Sequence, residues 1–249
     1  MSFITIDSVD STMNAARACL AVGEFSFDQV GLATPRGVLA NTQTLGRGQR
    51  GRGWYDIPGQ GLCLTLVITP PDHPAHLGLL AGVAVADALL DFCPELSPVI
   101  GLKWPNDLTL RGKKLGGILV EMTPTLQASA LVGIGLNLTT ASFPVELQHM
   151  ATSLSLEGFS APRTEELALE ISERVLNLLE LHRSEGMKAI TKLWRKYDRT
   201  QGIGFVSGAI TGIAVGIQDD GALLLKSSNG QVVPVYAASS LTAWGEVRH

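Results

Sequence analysis

The sequence predicts an α/β domain followed, after roughly residue 200, by a small β-barrel. Three observations carry this. Between Phe3 and His182, β-prone apolar runs alternate with runs of helical apolar spacing, as expected for helices packed on a sheet. From Phe205 onward only short β-like runs remain, separated by Asp219-Asp220-Gly221 and Ser228-Asn229-Gly230, and Asn-Gly between β-prone runs marks a hairpin. Of the 249 residues, 45% are apolar and 17% charged, enough for a sizeable core and too apolar for disorder.

Each element has a local reason. Phe3 to Ile6 reads as a short strand. Asp10-Ser11-Thr12 then offers helix caps before the Ala-rich run Asn14 to Val22. Gly31 to Leu39 is strand-like, and Asn41 to Gly61, rich in Gly and Arg, reads as a long functional loop. Leu62 to Thr69 is apolar and β-prone and is stopped by Pro70 and Pro71. Leu77 to Phe92 is apolar nearly all round, which predicts a buried helix. Asp87 and Asp91 interrupt it, so it falls short of the ~18 apolar residues a membrane helix needs. Val99 to Trp104, Leu108 to Leu110, Leu115 to Met122 and Ser129 to Leu138 read as consecutive strands joined by turns. Leu167, Ile171, Val175 and Leu178 give Thr164 to His182 an apolar helical face, while Glu165, Glu166, Glu170 and Glu173 read as its solvated side. The barrel runs are Gly208 to Ile217, Ala222 to Lys226 and Gln231 to Val235.

Composition excludes several classes. A net charge of -4 and a pI of about 5.7 argue against a general nucleic-acid binder. The N-terminus lacks a basic region followed by an apolar stretch, so no secretion signal is expected. Cys19, Cys63 and Cys93 are odd in number and form no CxxC, which favours a reducing cytoplasm over a disulfide framework. His73 and His76, with Asp72 among Pro70, Pro71 and Pro74, could begin a metal site, but no further ligand is in view and a solvated loop is the preferred reading.

Three segments carry chemistry. Gly46 to Trp54 sets Arg47, Arg50 and Arg52 among glycines in an otherwise acidic chain. Glycine lets backbone N–H groups approach a ligand, and guanidinium supplies forked donors, so the segment suits a polyanion such as nucleotide phosphates. Trp54 could add a stacking face; the bland alternative is a solvated loop. Gly46, Gly48 and Gly51 satisfy GxGxxG, but Pro58, Gly59 and Gly61 follow where a dinucleotide loop must open a helix. The second segment runs from Lys103-Trp104-Pro105-Asn106-Asp107 to Lys114 and Gly116-Gly117. Lys114 starts an apolar strand, where its ammonium can neutralise a carboxylate and a phosphate together, and Gly116-Gly117 leaves room for a ligand. Lys113 reads as incidental. Third, Gly133-Ile134-Gly135-Leu136-Asn137-Leu138 ends an apolar strand in an amide, and close packing and ligand approach explain its glycines equally well.

In this order, Asp10-Ser11-Thr12, Gln43, Gly46 to Trp54, Lys103 to Asp107, Lys114 to Glu121 and Gly133 to Leu138 resemble the biotin protein ligase family over nearly the whole chain. The resemblance implies an α+β fold: a mixed-sheet biotin/lipoate-ligase-type catalytic domain over 1–200, then a small Src-homology-3-type β-barrel over 201–249. It implies ATP-dependent activation of biotin to biotinyl-5′-AMP, with Mg²⁺, and transfer to a lysine of a biotin carboxyl carrier protein or domain of a biotin-dependent carboxylase. Homodimerisation is open to it. The chain begins directly at the catalytic domain, so neither DNA nor a membrane is an expected partner.

By the same resemblance Ser11, Thr12 and Gln43 contact the ureido ring. Arg47 and Gly48, with Gln49, close over biotin, beside Gly116 and Gly117. Lys114 bridges the biotin carboxylate and the α-phosphate. Arg50, Arg52 and Trp54 face ATP, Asn106 and Asp107 support the phosphate side, and Asn137 serves the adenine side. Lys114 and Arg47 are the expected catalytic pair. The chain departs from the family pattern in three places. Gln49 stands where arginine is usual, Met13 follows Ser-Thr where asparagine is common, and Ala237-Ala238-Ser239-Ser240-Leu241 lacks the usual Gly-Glu. A ligase for lipoate or another acyl acid, and a biotin sensor that does not transfer, are the competing readings.

Overall fold

A computed structural model describes residues 3–27, 32–123, 129–207, 210–236 and 241–243, with backbone alone at Leu32, Pro35, Arg50, Ser207 and 241–243. The chain runs β1 (Ile4–Val9), α1 (Thr12–Ala21), β2 (Ser26–Phe27), β3 (Leu32–Gln43), β4 (Gly61–Ile68), α2 (His76–Phe92), β5 (Ile100–Lys103), β6 (Asp107–Leu110), β7 (Lys113–Thr123) and β8 (Ser129–Asn137). It continues through α3 (Thr164–Glu185), α4 (Met187–Trp194), β9 (Gly204–Ser207), β10 (Ile210–Ile217), β11 (Leu223–Lys226), β12 (Val232–Val235) and β13 (Leu241–Ala243).

The large sheet has the order β1-β3-β4-β8-β7-β6-β5, with β2 on β3. Among the described strands of this sheet only β1 and β3 pair in parallel, and α1 supplies the crossover such a pair requires. The sheet is therefore mixed, as the family resemblance implies. β3 runs on to Gln43, past the expected end at Leu39, because the β1 ladder continues through Ser8 with Thr42 and Val9 with Gln43, after β4 has left it at Ala40. This places Gln43 on a rigid strand end rather than in the loop. α4, β2, β9 and β13 have no counterpart in the sequence reading; Gly186, at φ 74°, separates α3 from α4. The expected strand starts Gly31 and Gly208, and the segment Ala237 to Ser240, lie outside the described residues.

Strand alternation divides the core. Leu62, Leu64, Leu66 and Ile68 of β4 turn to the face covered by the largely apolar α2 together with α3 and α4. Val67 turns to the opposite face and packs with Met13, Ala16, Val38 and Leu131 beneath α1. Burial on both faces explains why β4 reads as a continuous apolar run.

The remaining strands form a five-stranded antiparallel sheet, β12-β11-β10-β9-β13, the small β unit expected after residue 200. Its β11–β12 connection closes through Ser227 N–H to Gln231 O at 2.9 Å, with Gly230 at φ 85°. Trp104 ties the two sheets together, its indole N–H donating to Gly221 O at 3.0 Å. Arg195 adds a bond to Ile217 O and an ion pair with Asp219. Among the described residues no helix is long and apolar enough to cross a membrane.

Candidate active site

The α1 face of the sheet is hollow at one end because its inward positions there are glycines. Leu131 fills that face of β8, but Gly133 and Gly135 follow it at the next same-face positions. Met13 and Trp54 descend onto them: a Cβ on Gly133 would stand 2.9 Å from Met13 Sδ, and one on Gly135 would stand 2.8 Å from the Trp54 ring. The glycines of this strand thus serve close packing of cleft walls. The resulting cavity of about 190 Å³ is lined by the start of α1, the β3–β4 loop, the β5–β7 segment, β8 and Phe205 of β9.

One end of the cleft is built on the first turn of α1. Ser11 and Thr12 are buried. Thr12 donates to Gln43 Oε1 twice, from its N–H at 2.8 Å and its hydroxyl at 3.0 Å. Asp56 steadies the same strand end, accepting from Gln43 N–H at 2.8 Å and from the Thr42 hydroxyl at 2.9 Å. Hydrogen bonds from Asn14 and from Ser11 N–H, with Arg47 nearby, hold Asp10 below the usual carboxylate range. Burial pushes the Cys63 thiol far up, reinforced by Asp56, so it is no nucleophile.

The Gly/Arg segment folds back on itself. Gly48 N–H donates to Arg52 O at 2.7 Å, Trp54 N–H donates to Gly46 O at 2.8 Å, and Gly51 takes φ 71° at the tip. Arg47 donates to Asn14 Oδ1 at 2.9 Å and lies 3.7 Å from Glu121, which also binds Arg17. Asn14 therefore ties the loop to α1. Gln49, Gly48 and Arg52 line the cleft; the Arg50 side chain lies outside the described residues.

At the other end Lys114 Nζ pairs with Asp107 Oδ1 at 2.6 Å. Its backbone is clamped on both sides, donating to Met150 O and accepting from Thr152 N–H. Asn106 donates its amide to Ile118 O at 2.8 Å and accepts from Ile118 N–H, which fixes the turn that carries Asp107. Gly117 lines the cleft beside Lys114. Gly116 turns to the other face, where a Cβ would collide with Leu136. Asn137 is buried, donates to Thr152 O at 3.0 Å, and is not in the lining.

The cleft thus gathers Ser11, Thr12, Gln43, Arg47, Gly48, Gln49, Arg52, Trp54, Asn106, Asp107, Lys114 and Gly117 from segments far apart in the chain. It adds Met13, Trp104 and Phe205 as apolar walls; of these Phe205 carried no functional signal in the sequence. His182, distant in sequence, reaches the His73–His76 segment: His76 Nδ1 and His182 Nε2 are 3.0 Å apart. Among the described residues, no group of three or more His, Cys, Asp or Glu side chains is placed to hold a metal ion.

The chain is similar to known proteins over most of its length. Residues 7–137 match the model of the Biotin/lipoate A/B protein ligase family, and residues 206–239 match the Biotin protein ligase C terminal domain. A biotin–[acetyl-CoA-carboxylase] ligase of Mycobacterium tuberculosis is 35% identical, over 79% of this chain and 75% of that protein. One of Paracoccus denitrificans is 34% identical, over 82% and 90%. The bifunctional ligase/repressor BirA of Bacillus spizizenii is 35% identical over 81% of this chain, which spans 64% of that relative's length. A biotin protein ligase from Aquifex aeolicus, solved in complex with biotin and ATP, shares the fold with a TM-score of 0.80, covering 97% of this chain and 98% of its own at 24% identity. With the family model matched over more than half of its length, the chain belongs to the biotin/lipoate A/B protein ligase family.

Proposed function

We propose that this chain is an ATP-dependent biotin protein ligase, acting on a biotin carboxyl carrier protein or domain. One observation carries the reading: a single cleft joins a hydroxyl-and-amide end at Ser11, Thr12 and Gln43 to a cationic end at Lys114, with the Gly/Arg loop between them. Biotin has the matching layout, a ureido ring, an apolar body and a carboxylate. The second family match, to a biotin ligase C-terminal domain, favours biotin over lipoate. We assign 1–200 to the catalytic domain and 201–249 to the small β-barrel. The three free cysteines fit a reducing cytoplasm.

The reaction has two steps. Biotin's carboxylate attacks the α-phosphorus of ATP, forming biotinyl-5′-AMP and releasing pyrophosphate. A lysine amine of the carrier then attacks the mixed anhydride, forming the amide and releasing AMP. Lys114 lies where carboxylate and α-phosphate would meet, and as an ammonium it stabilises the charge that develops there. Binding would exchange its Asp107 partner for the anionic ligand, leaving Asp107 on the phosphate side. Arg47, held by Asn14 and Glu121, anchors the loop over the biotin end, while Gly48 and Gln49 close it. Arg52, Trp54 and Arg50 serve the nucleotide. Asn106 acts by fixing the turn, and Asn137 by holding the Thr152 segment beside Lys114. Magnesium enters with the triphosphate, and no step is assigned to a metal caged by protein side chains.

The test is to incubate the protein with biotin, Mg-ATP and a biotin carboxyl carrier domain and weigh the carrier. A gain of one biotinyl group is expected. An unmodified carrier, with lipoate attached in a parallel reaction, would overturn the reading.

A further inference from the structure

The hydrogen-bond chain under the cleft has only one possible direction. The Thr12 backbone N–H can only donate, and it meets Gln43 at 2.8 Å, so the atom it meets is the amide oxygen. The Thr12 hydroxyl stands 3.0 Å from that same oxygen, which carries no proton, so the hydroxyl donates there too. Its single proton is then committed. Thr65 Oγ1, 2.8 Å from Thr12 Oγ1, must therefore be the donor and Thr12 the acceptor. Thr65 is fully buried, directly across from Gly133 on the sheet face that floors the cleft.

We infer that Thr65 is a positioning residue that sets Thr12 and Gln43 as an acceptor beside a donor, and so selects a neutral cyclic urea over a cyclic guanidinium. The inference rests on the proposed function and deepens it. Thr12 Oγ1, its proton spent and one lone pair taken by Thr65, has a lone pair left for a ligand N–H. Gln43, its oxygen already taken by two donors, has only its NH₂ left to offer a ligand, and a urea carbonyl accepts from it. A guanidinium places N–H where that carbonyl stands, so two donors would face each other, one of them charged. Valine at position 65 keeps the side-chain shape and removes the donor to Thr12 Oγ1, leaving the Thr12 hydroxyl tied only by its 3.0 Å bond to Gln43.

The test uses the full chain with two probes, biotin and protonated 2-iminobiotin, its guanidinium analogue. The wild type should bind biotin at least about tenfold more tightly than the analogue. Thr65→Val should raise the KM for biotin roughly threefold to tenfold, the net worth of one hydrogen bond, with kcat at saturating biotin little changed. It should also narrow the gap between the two probes, and Thr65→Ser should restore both quantities. If the valine variant folds poorly, Thr65→Ser against Thr65→Ala isolates the hydroxyl. Wild type that turns over biotin while the hydroxyl-free variants keep its KM would overturn this assignment alone, as would equal binding of the two probes. A wild type that binds neither probe would overturn the functional reading and this assignment with it.

Discussion

Lys114 Nζ and Asp107 Oδ1 form an ion pair at 2.6 Å, across two strands whose register slips beside them. Asp107 pairs with Gly117 and Leu108 with Gly116, but Thr109 pairs with Lys114, so Leu115 is the extra residue of a β-bulge. The bulge turns Lys114 into the cleft, while its neighbour Lys113 donates to Gln148 O on the exposed surface at 3.3 Å. Both groups of the pair are partly exposed, so the pair adds little to stability and its value is in placing the ammonium.

Lys114→Ala should therefore leave the fold intact and slow biotinyl-adenylate formation by about 10²–10³-fold, the usual cost of removing one preorganised charge-stabilising group. Lys113→Ala should leave the rate nearly unchanged. Pyrophosphate release measures both, and equal effects would refute the assignment.

Gln49 opens the short helical turn of the Gly/Arg loop and lines the cleft without a charge. A charge-assisted bond from an arginine here would be worth ~1.5–3 kcal/mol when well placed. Gln49→Arg should slow release of biotinyl-adenylate by roughly tenfold if it recovers about 1.4 kcal/mol. A chase of labelled adenylate reads the rate directly, and equal release from both proteins would make Gln49 a neutral variation.

The Gly/Arg loop is held at its base by Trp54 to Gly46, across its tip by Gly48 to Arg52, and to α1 by Arg47 to Asn14. Amide hydrogen exchange over Thr44 to Gln60, between β3 and β4, should be fast without ligand and markedly slower with biotin or the adenylate. Protection unchanged by ligand would count against a loop that closes.

His76 and His182 share one hydrogen bond, so at least one imidazole must be neutral. Burial holds both below their ordinary value of 6.5, His182 and His73 adding to it at His76, His73 and Arg183 at His182; Asp220 and Asp72 pull the other way. The unfolded chain thus binds more protons below that value, so stability is fully present above pH 6.5 and is lost as pH falls through the lower folded values. His182→Gln keeps a hydrogen-bonding group without the titration. Melting temperature followed from pH 8 to pH 5 should fall less steeply in the variant; parallel curves would show that the pair does not carry the dependence.

The sequence by itself determined the two-part architecture, most of the strands, the buried α2 and the segments that line the cleft. Those features are local: periodicity, turn dipeptides, and glycine and arginine concentrated in one stretch. Tertiary structure decided what has no local signature. That β3 ends on Gln43 depends on its parallel ladder with β1, which runs to Val9. That Gly133 and Gly135 receive Met13 and Trp54 depends on α1 and the loop closing over β8. That Asn14 takes Arg47, that Phe205 walls the cleft, and that Asn137 spends its amide on Thr152 are contacts between residues remote in the chain. Thr65 shows the difference most plainly: in sequence it is one β-branched residue in an apolar strand, and its hydroxyl gains a direction only when Thr12 is packed above it with its own proton already given to Gln43.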